Sequence, residues 1–408
     1  MLKGKKIAIG VCGGIAVYKA CELVRELKKL GAEIRIVMTP SATRFVTPLT
    51  FATLSENPVL LSLFEGTEEQ GVPHIDLARW CELLVVCPAT ANFLGKVAYG
   101  ISDDALTTTI LATRAPVVIC PAMNSAMWEK PVVQENIARL KKLNYEIVEP
   151  AWGPLATTAE GEGWGRLADL PHITHKIIQM LLGSKELAGK KVVVTAGPTR
   201  EPLDPVRFIS NHSTGKMGFA IADAAKLKGA QVVLVSGPTH LPVPPEVKYV
   251  EVTTSDEMFE AVNREYKDTD ILISAAAVAD FKPKRISKDK IKKDRTDLLL
   301  ELTRTVDILG SLAKKKGKRI HVGFALETSN TEKNARQKLK EKNLDLIVLN
   351  NPLEEGAGFY WDTNKVTLIF PDGRTEPLPM RSKFEIALIV LNKVVEMLEN
   401  RTKQTVMA

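Results

Sequence analysis

Residues 190–225 carry the pattern from which the architecture of the chain can be argued: KKVVVTAGPTREPLDPVRFISNHSTGKMGFAIADAA. Val192–Val194 are apolar on both faces, which is typical of a buried parallel strand. A loop follows, and a Ser-Thr-Gly-Lys run leads into a predicted helix at 217–228, whose first N–H groups favour phosphate. The segment therefore predicts the start of a nucleotide-binding domain, and a plain strand-to-helix turn is the alternative that these residues leave open. Three polar candidates lie in the loop: Arg200, Arg207 and Asn211.

The composition indicates a soluble globular protein. A chain of 408 residues, 45% hydrophobic and 25% charged, suits two or three domains. No apolar run reaches the roughly 18 residues that span a bilayer, so no membrane partner or signal peptide is predicted. The net charge of +7 comes from dispersed lysines, which favours anionic small substrates over nucleic acid. Five cysteines lack metal-ligand spacing and predict buried thiols in a reducing cytoplasm: Cys12, Cys21, Cys81, Cys87 and Cys120.

The first residues also predict a strand, a glycine loop and a helix, at 5–11, 13–16 and 17–30. The next predicted strand, 33–38, ends without the acidic residue with which dinucleotide-binding domains hold a ribose. This absence argues against NAD and favours a ligand with a terminal phosphate, held by Ser41 and the Gly13-Gly14 turn. Ser41 as a simple helix cap is the alternative.

Two further buried strands, 83–86 and 117–120, run into polar loops at 87–92 and 121–128. Ligands of open α/β sheets bind at such carboxyl ends. The glycine-rich segment 153–165 has too little apolar content for a core and predicts a movable flap. A polar linker at 182–189 predicts domains at 1–183 and 189–408.

The second domain repeats this order of elements, with buried strands predicted at 232–235, 271–273, 321–324 and 344–349. Small residues after the second of these strands leave room for a flat base, and Asp280 is placed to take a metal or a hydroxyl. The basic run 282–295 is either a solvated loop or a clamp for a triphosphate.

Long motifs in both halves indicate a family. The N-terminal half resembles the flavin-dependent cysteine decarboxylases, and the C-terminal half is similar to phosphopantothenate-cysteine ligases. Together they resemble the bacterial bifunctional enzymes of coenzyme A biosynthesis over nearly the whole chain. The decarboxylase motifs are Gly13–Ala16 with Tyr18-Lys19, His74–Trp80, Pro88–Asn92 and PAMNSAMW at 121–128. The ligase motifs are Gly197–Gly218, Ala275–Asp280 and Lys290–Lys293.

The resemblance implies an α/β fold of two doubly wound parallel-sheet domains, the first flavodoxin-like and flavin-binding, the second Rossmann-like and nucleotide-binding. With Mg²⁺, CTP would activate phosphopantothenate as an acyl-cytidylate, from which the amine of cysteine displaces CMP. FMN would then serve the decarboxylation of phosphopantothenoylcysteine to phosphopantetheine. Two rival interpretations remain. One is a decarboxylase that releases an oxidised enethiol and is fused to a nicotinamide- or nucleotide-binding domain, and the other is a non-enzymatic nucleic-acid or regulatory module.

The resemblance also implies roles for single residues. His74 would be the base of the decarboxylase and Asn124 would hold the substrate carboxylate, while Lys290 would serve formation of the acyl-cytidylate. Asn211 would serve its turnover and Arg207 the developing charge, with Asp280 as a metal ligand. The implied FMN contacts are Gly13, Gly14, Ile15, Ser41, Thr90, Ala91, Asn92 and Met123. The implied CTP contacts are Ser274, Ala275, Ala276, Asp280, Lys290, Asp307, Ile308, Phe324, Lys338 and Lys342.

The flap departs from the related decarboxylases, which usually carry a proton-donating cysteine there. Thr157, Thr158 or Ala159 occupies that region in this chain. Glu160, Glu162 or a water molecule is predicted to supply the proton instead. The family assembles through trimers of the flavin domain and dimers of the ligase domain, so the resemblance implies a homo-oligomer, a dodecamer.

Overall fold

The structure is a computed structural model that describes residues 1–64, 71–292, 298–326, 331–350, 354 and 356–407. It divides into two compact units, Met1–Gly183 and Ser184–Ala408. No helix in these ranges is both long and apolar enough to cross a bilayer.

The first unit is built on a six-stranded, wholly parallel sheet in the order β3-β2-β1-β4-β5-β6. Apart from the two-residue edge strand β3, this is the flavodoxin-like order. The strands are β1 (Lys6–Val11), β2 (Glu33–Met38), β3 (Val59–Leu60), β4 (Leu83–Ala89), β5 (Val117–Pro121), β6 (Glu146–Ile147), β7 (Ala151–Pro154) and β8 (Glu162–Arg166). The helices are α1 (Val17–Lys29), α2 (Pro48–Ser55), α3 (Pro73–Trp80), α4 (Ala91–Ala98), α5 (Ala105–Ala112), α6 (Ser125–Trp128), α7 (Pro131–Lys142) and α8 (Leu170–Leu182).

The central strands form because their sequences are apolar on both faces. All seven residues of β4, LLVVCPA, are buried between helices on the two sides of the sheet. Helix α1 packs with a stripe at helical spacing, since Ala20, Leu23, Val24 and Leu27 are buried. The chain order reverses between β1 and β4, which leaves a crevice at their carboxyl ends.

The second unit contains an eight-stranded sheet in the order β13-β12-β9-β14-β17-β18-β20-β21. Its strands are β9 (Lys191–Ala196), β10 (Arg200–Pro202), β11 (Phe208–Ser210), β12 (Gln231–Ser236), β13 (Lys248–Glu251), β14 (Ile271–Ser274), β15 (Phe281–Pro283), β16 (Leu302–Arg304), β17 (Ile320–Leu326), β18 (Leu346–Asn350), β19 (Thr363–Asn364), β20 (Val366–Ile369), β21 (Thr375–Pro377) and β22 (Arg381–Ser382). Its helices are α9 (Lys216–Leu227), α10 (Ser255–Glu265), α11 (Ile308–Ala313), α12 (Thr331–Glu341) and α13 (Lys383–Met407).

The first six strands of this sheet are parallel and follow the Rossmann order, with the reversal between β9 and β14. Strands β20 and β21 extend the sheet in antiparallel fashion, so the sheet is mixed where the sequence predicts a parallel one. Two antiparallel ribbons, β10–β11 and β15–β16, lie outside the sheet and were not predicted. Their strands have three residues each, too few for a period-2 pattern to emerge.

Candidate active sites

A cavity of about 520 Å³ lies at the strand-order reversal of the first unit. Its walls come from the loops after β1, β4 and β5, and from the β7–β8 hairpin. Helix α4 begins in this wall, where Thr90 accepts a hydrogen bond from the Phe93 N–H at 3.3 Å. Of the predicted FMN contacts, the structure places six on the cavity: Gly13, Gly14, Ile15, Thr90, Ala91 and Met123.

Two other predicted FMN contacts lie off the cavity lining. Ser41 packs behind the glycine turn, since a Cβ added to Gly13 would come within 2.4 Å of the Ser41 Cβ. Gly13 is therefore required by close packing of its loop against the loop after β2. Asn92 is exposed on the first turn of α4 and does not line the cavity.

The asparagine motif and the flap are joined by the main chain. The Met123 N–H donates to the Gly165 carbonyl at 2.9 Å, and a Cβ on Gly165 would lie 2.2 Å from the Met123 carbonyl oxygen. Asn124 uses its Oδ1 to cap α6 by accepting from the Ala126 N–H at 2.9 Å. Its Nδ2 makes no hydrogen bond to the described residues, so this amide is available to donate to a carboxylate.

The flap is the β7–β8 hairpin, with a short 3₁₀ helix, Thr158–Glu160, near its tip. Trp152 and Trp164 pack edge to face across its strands, with ring centroids 6.0 Å apart. Glu160 lines the cavity and Glu162 does not, which separates the two proton-donor candidates.

Sequence reasoning missed Arg166, which ends β8 and lines the same cavity. Its Nη2 pairs with Asp169 at 2.9 Å, and its buried Nε has no partner among the described residues. An arginine directly after a glycine-rich flap was the available signal, because anionic ligands are commonly bound by such side chains.

His74 is the second residue of α3 and does not line the cavity. Its Nδ1 is buried and has no hydrogen-bond partner among the described residues. Within one chain, the structure does not bring the predicted base together with Asn124 and Met123.

In the second unit, the loop after β14 is held in place by side chains from the segment 195–211. The Asn211 Nδ2 donates to the Ala277 carbonyl at 3.0 Å and to the Val278 carbonyl at 3.2 Å. The buried Thr199 accepts from the Ala279 N–H at 3.0 Å. The small residues predicted to face a base, Ser274, Ala275 and Ala276, are partly exposed at the reversal between β9 and β14.

A second group of predicted CTP contacts lies around α11 and α12. Asp307 caps α11 by accepting from the Gly310 N–H at 3.1 Å and forms an ion pair with Lys342 at 2.9 Å. Lys338 lies one turn before Lys342, whose N–H donates to the Lys338 carbonyl at 3.0 Å. Ile308 is buried in the first turn of α11, and Phe324 is partly exposed near the end of β17.

The predicted metal ligand, Asp280, is exposed just before β15. No group of three His, Cys, Asp or Glu side chains within the described ranges is placed to hold a metal ion. A single carboxylate fits Mg²⁺ only if phosphate oxygens complete its coordination, which is the usual arrangement with nucleotides.

Lys290 is exposed and makes no hydrogen bond or ion pair with a described residue, whereas Arg207 is paired with Asp204 at 2.7 Å. Lys293, the last residue of that lysine motif, and the end of the predicted clamp 282–295 lie outside the described residues.

Two family descriptions match the chain. "Flavoprotein" matches residues 1–182, and "DNA/pantothenate metabolism flavoprotein C-terminal domain" matches residues 187–398. The "Coenzyme A biosynthesis bifunctional protein CoaBC" of Bacillus subtilis is 47% identical over 99% of this chain and 99% of its own length. Its namesake from Escherichia coli K12 is 42% identical over 99% and 100%. A crystal structure of the C-terminal domain of a protein of that name is 44% identical, covers 53% of this chain and 100% of its own, and has a TM-score of 0.47.

Proposed function

Because this chain belongs to the CoaBC family of coenzyme A biosynthesis bifunctional proteins, we propose that its two reactions are divided between its two units. The chain is an enzyme with a phosphopantothenate-cysteine ligase step and a phosphopantothenoylcysteine decarboxylase step. In the proposal, the first unit holds FMN and decarboxylates, and the second unit uses CTP and Mg²⁺ to ligate. The observation that carries it is the open cavity at the first strand-order reversal, lined by the glycine turn and the asparagine loop.

The cavity fits a flavin mononucleotide in size and chemistry. Its volume of about 520 Å³ lies within the range usual for cofactor sites. The glycine turn and the capped start of α4 offer main-chain donors for the phosphate, and Met123 offers an apolar surface for a ring system. Bound there, FMN would supply the two-electron oxidation that labilises the substrate carboxylate.

The residues of the first unit would orient the substrate and move its protons. Asn124 donates from Nδ2 to the carboxylate, since its Oδ1 is already engaged in capping α6. Glu160 supplies a proton from the flap, in place of the cysteine that the related decarboxylases carry there. The hairpin covers the cavity and limits access of water.

The proposed base, His74, does not line the cavity of its own chain. We therefore propose that a neighbouring copy in the trimer supplies it. Complexes assembled from equal amounts of His74→Asn and Asn124→Ala chains then contain intact composite sites, about a quarter of the total by random pairing. Either variant alone should be inactive, and a mixture that stays inactive while forming trimers would contradict the shared site.

In the second unit, Lys290 would stabilise the charge that develops as the carboxylate of phosphopantothenate attacks CTP. Asn211 would act on the following acyl intermediate, which suits its position against the carbonyls of the loop after β14. Lys338 from α12 and Lys342 directly after it would face the nucleotide, and Asp280 would hold the Mg²⁺ that neutralises phosphate charge. The choice of CTP over ATP rests on the family.

The test uses the purified full chain with phosphopantothenate, cysteine, Mg²⁺ and CTP, and identifies the products by mass. We expect pyrophosphate release that depends on CTP and is not supported by ATP, followed by loss of carbon dioxide. Tight binding of NAD(P)H without CTP-dependent pyrophosphate release would favour a nicotinamide domain instead. We also propose a cytoplasmic location, because all five cysteines are free thiols.

A further inference from the structure

A buried carboxylate lies next to the proposed ligase site. Asp204, in the turn between β10 and β11, is only 3% exposed. Its Oδ1 accepts from the N–H groups of Val206 and Arg207, both at 2.8 Å. Its Oδ2 accepts from the Arg207 guanidinium at 2.7 and 3.0 Å and from the Ile291 N–H at 3.1 Å. A carboxylate that is removed from water in this way must be fully hydrogen-bonded, and this one is.

The carboxylate is ionised in this setting. Burial by itself raises the pKa of Asp204, but hydrogen bonds from the N–H groups of Val206 and Ile291 and from Arg207 bring it well below its ordinary value. The Arg207 charge is therefore compensated by a permanent negative charge, and the pair acts as a neutral unit.

The same pair holds a distant segment by its main chain. The Ile291 N–H donates to Asp204, and the Ile291 carbonyl accepts from the Arg207 Nη2 at 2.6 Å. Four residues earlier, the Ser287 N–H donates to the Leu203 carbonyl at 3.0 Å. The turn between β10 and β11 thus fixes residues 287–291 at both ends.

Lys290 lies within this fixed segment, directly before Ile291, whose N–H and carbonyl are both hydrogen-bonded to the Asp204–Arg207 pair. Its ammonium group is exposed and has no partner among the described residues. The contacts restrain the backbone that carries Lys290 and leave its side chain available for a ligand.

We propose that Asp204 and Arg207 are positioning residues, which hold Lys290 in place for the ligase, and that Arg207 does not itself contact the reacting groups. This rests on the proposed function, in which Lys290 serves formation of the acyl-cytidylate. It differs from the role of charge donor that the family resemblance implies for Arg207.

Asp204→Asn keeps the shape of the side chain but places a donor amide among N–H groups that need an acceptor. The hydrogen bonds that fix Ile291 are therefore lost. We expect the kcat of CTP-dependent pyrophosphate release to fall about 10- to 100-fold, because a misplacement near 1 Å costs that much. The KM for CTP should change by less than about threefold, since Lys290 would act mainly in the transition state.

The decisive comparison is a double-variant cycle in the full chain: Asp204→Asn, Lys290→Gln and the two together. If Asp204 acts through Lys290, adding Asp204→Asn to Lys290→Gln should lower kcat no further. Losses that multiply would overturn the proposal, and so would an unchanged kcat in Asp204→Asn alone. The matched control is Asp345→Asn, which alters a partly buried acid that accepts a hydrogen bond from the His321 N–H at the start of β17 and should leave kcat within about twofold.

A second measurement does not depend on ligase activity. Trypsin should cleave after Lys288, Lys290 and Lys292 at least tenfold faster in Asp204→Asn than in the parent, because the segment is no longer held. Cleavage in the first unit should be unchanged, which excludes general unfolding. Equal cleavage rates in the segment would overturn the proposal. A parent protein without CTP-dependent pyrophosphate release would refute the proposed function. The trypsin result would still show whether Asp204 and Arg207 hold residues 287–291 in place.

Discussion

Acidification should weaken the second unit through His321, a fully buried histidine near the start of β17. Its Nε2 shares a hydrogen bond of 2.7 Å with the Tyr266 hydroxyl, and its buried Nδ1 has no partner among the described residues. Burial, followed by the charge of Lys316, lowers the pKa of His321 from 6.5 to about 4. The charged groups that act on the ring are Lys316, Arg319 and Arg401, which lower the pKa, and Asp345, which raises it.

The direction of the effect follows from proton linkage. Because the folded state binds the proton more weakly, the unfolded chain becomes protonated first as the pH falls below about 6.5. The stabilisation is therefore complete above that pH and is lost progressively toward pH 4. With the two pKa values, the loss amounts to about 2 kcal/mol at pH 5 and about 3 kcal/mol at pH 4.

The assay is hydrogen exchange in increasing urea, read by mass spectrometry on peptides from β17 and β18. Each unit must be followed separately, because a chain of two units does not unfold as one. The variant His321→Gln removes the titrating group. The difference in free energy of unfolding between the parent and this variant should therefore fall by about 3 kcal/mol between pH 7 and pH 4. Peptides from β4 and β5 serve as the internal control and should show no such difference. A gap that stays constant across this pH range would refute the reasoning.

Two further predictions concern the first unit. Gly13→Ala should weaken flavin binding at least about tenfold, measured as flavin absorbance per chain, because the new Cβ would lie 2.4 Å from the Ser41 Cβ. Gly14→Ala is the matched control, since its nearest neighbour would be 3.9 Å away, and equal losses in both would contradict the packing argument. Glu160→Gln should shift the product, identified by mass, from the reduced thiol to the oxidised enethiol. Glu162→Gln should not, because Glu162 lies off the cavity, and the opposite pattern would exclude Glu160 as the donor.

The sheets were predictable because each central strand has a short, continuous run of apolar residues. Val192–Val194 lie inside β9 and 83–86 inside β4, and both are buried throughout. The crevices follow from the same runs, since parallel strands end at a common edge of the sheet. The α/β class, the family and the two enzymatic steps are confirmed by the matches over nearly the whole chain.

The contacts between distant segments were not predictable in this way. Asp204 and Arg207 are three residues apart, and an aspartate that accepts from N–H groups two and three residues later is a local turn signal. Their bonds to Ile291 span more than 80 residues, and no period in the sequence reports them. The sequence also does not report that Glu160 lines the cavity and Glu162 does not, because this depends on the turn between β7 and β8.

The junction of Met123 with Gly165 links two events that are usually considered separately. Since the flap is bonded to the residue that precedes Asn124, lifting the hairpin off the cavity must also disturb the loop that presents the carboxamide. The open hairpin would then admit the substrate, and the closed hairpin would bind its carboxylate. Closure of the hairpin would then place the carboxamide against the substrate carboxylate before proton transfer begins.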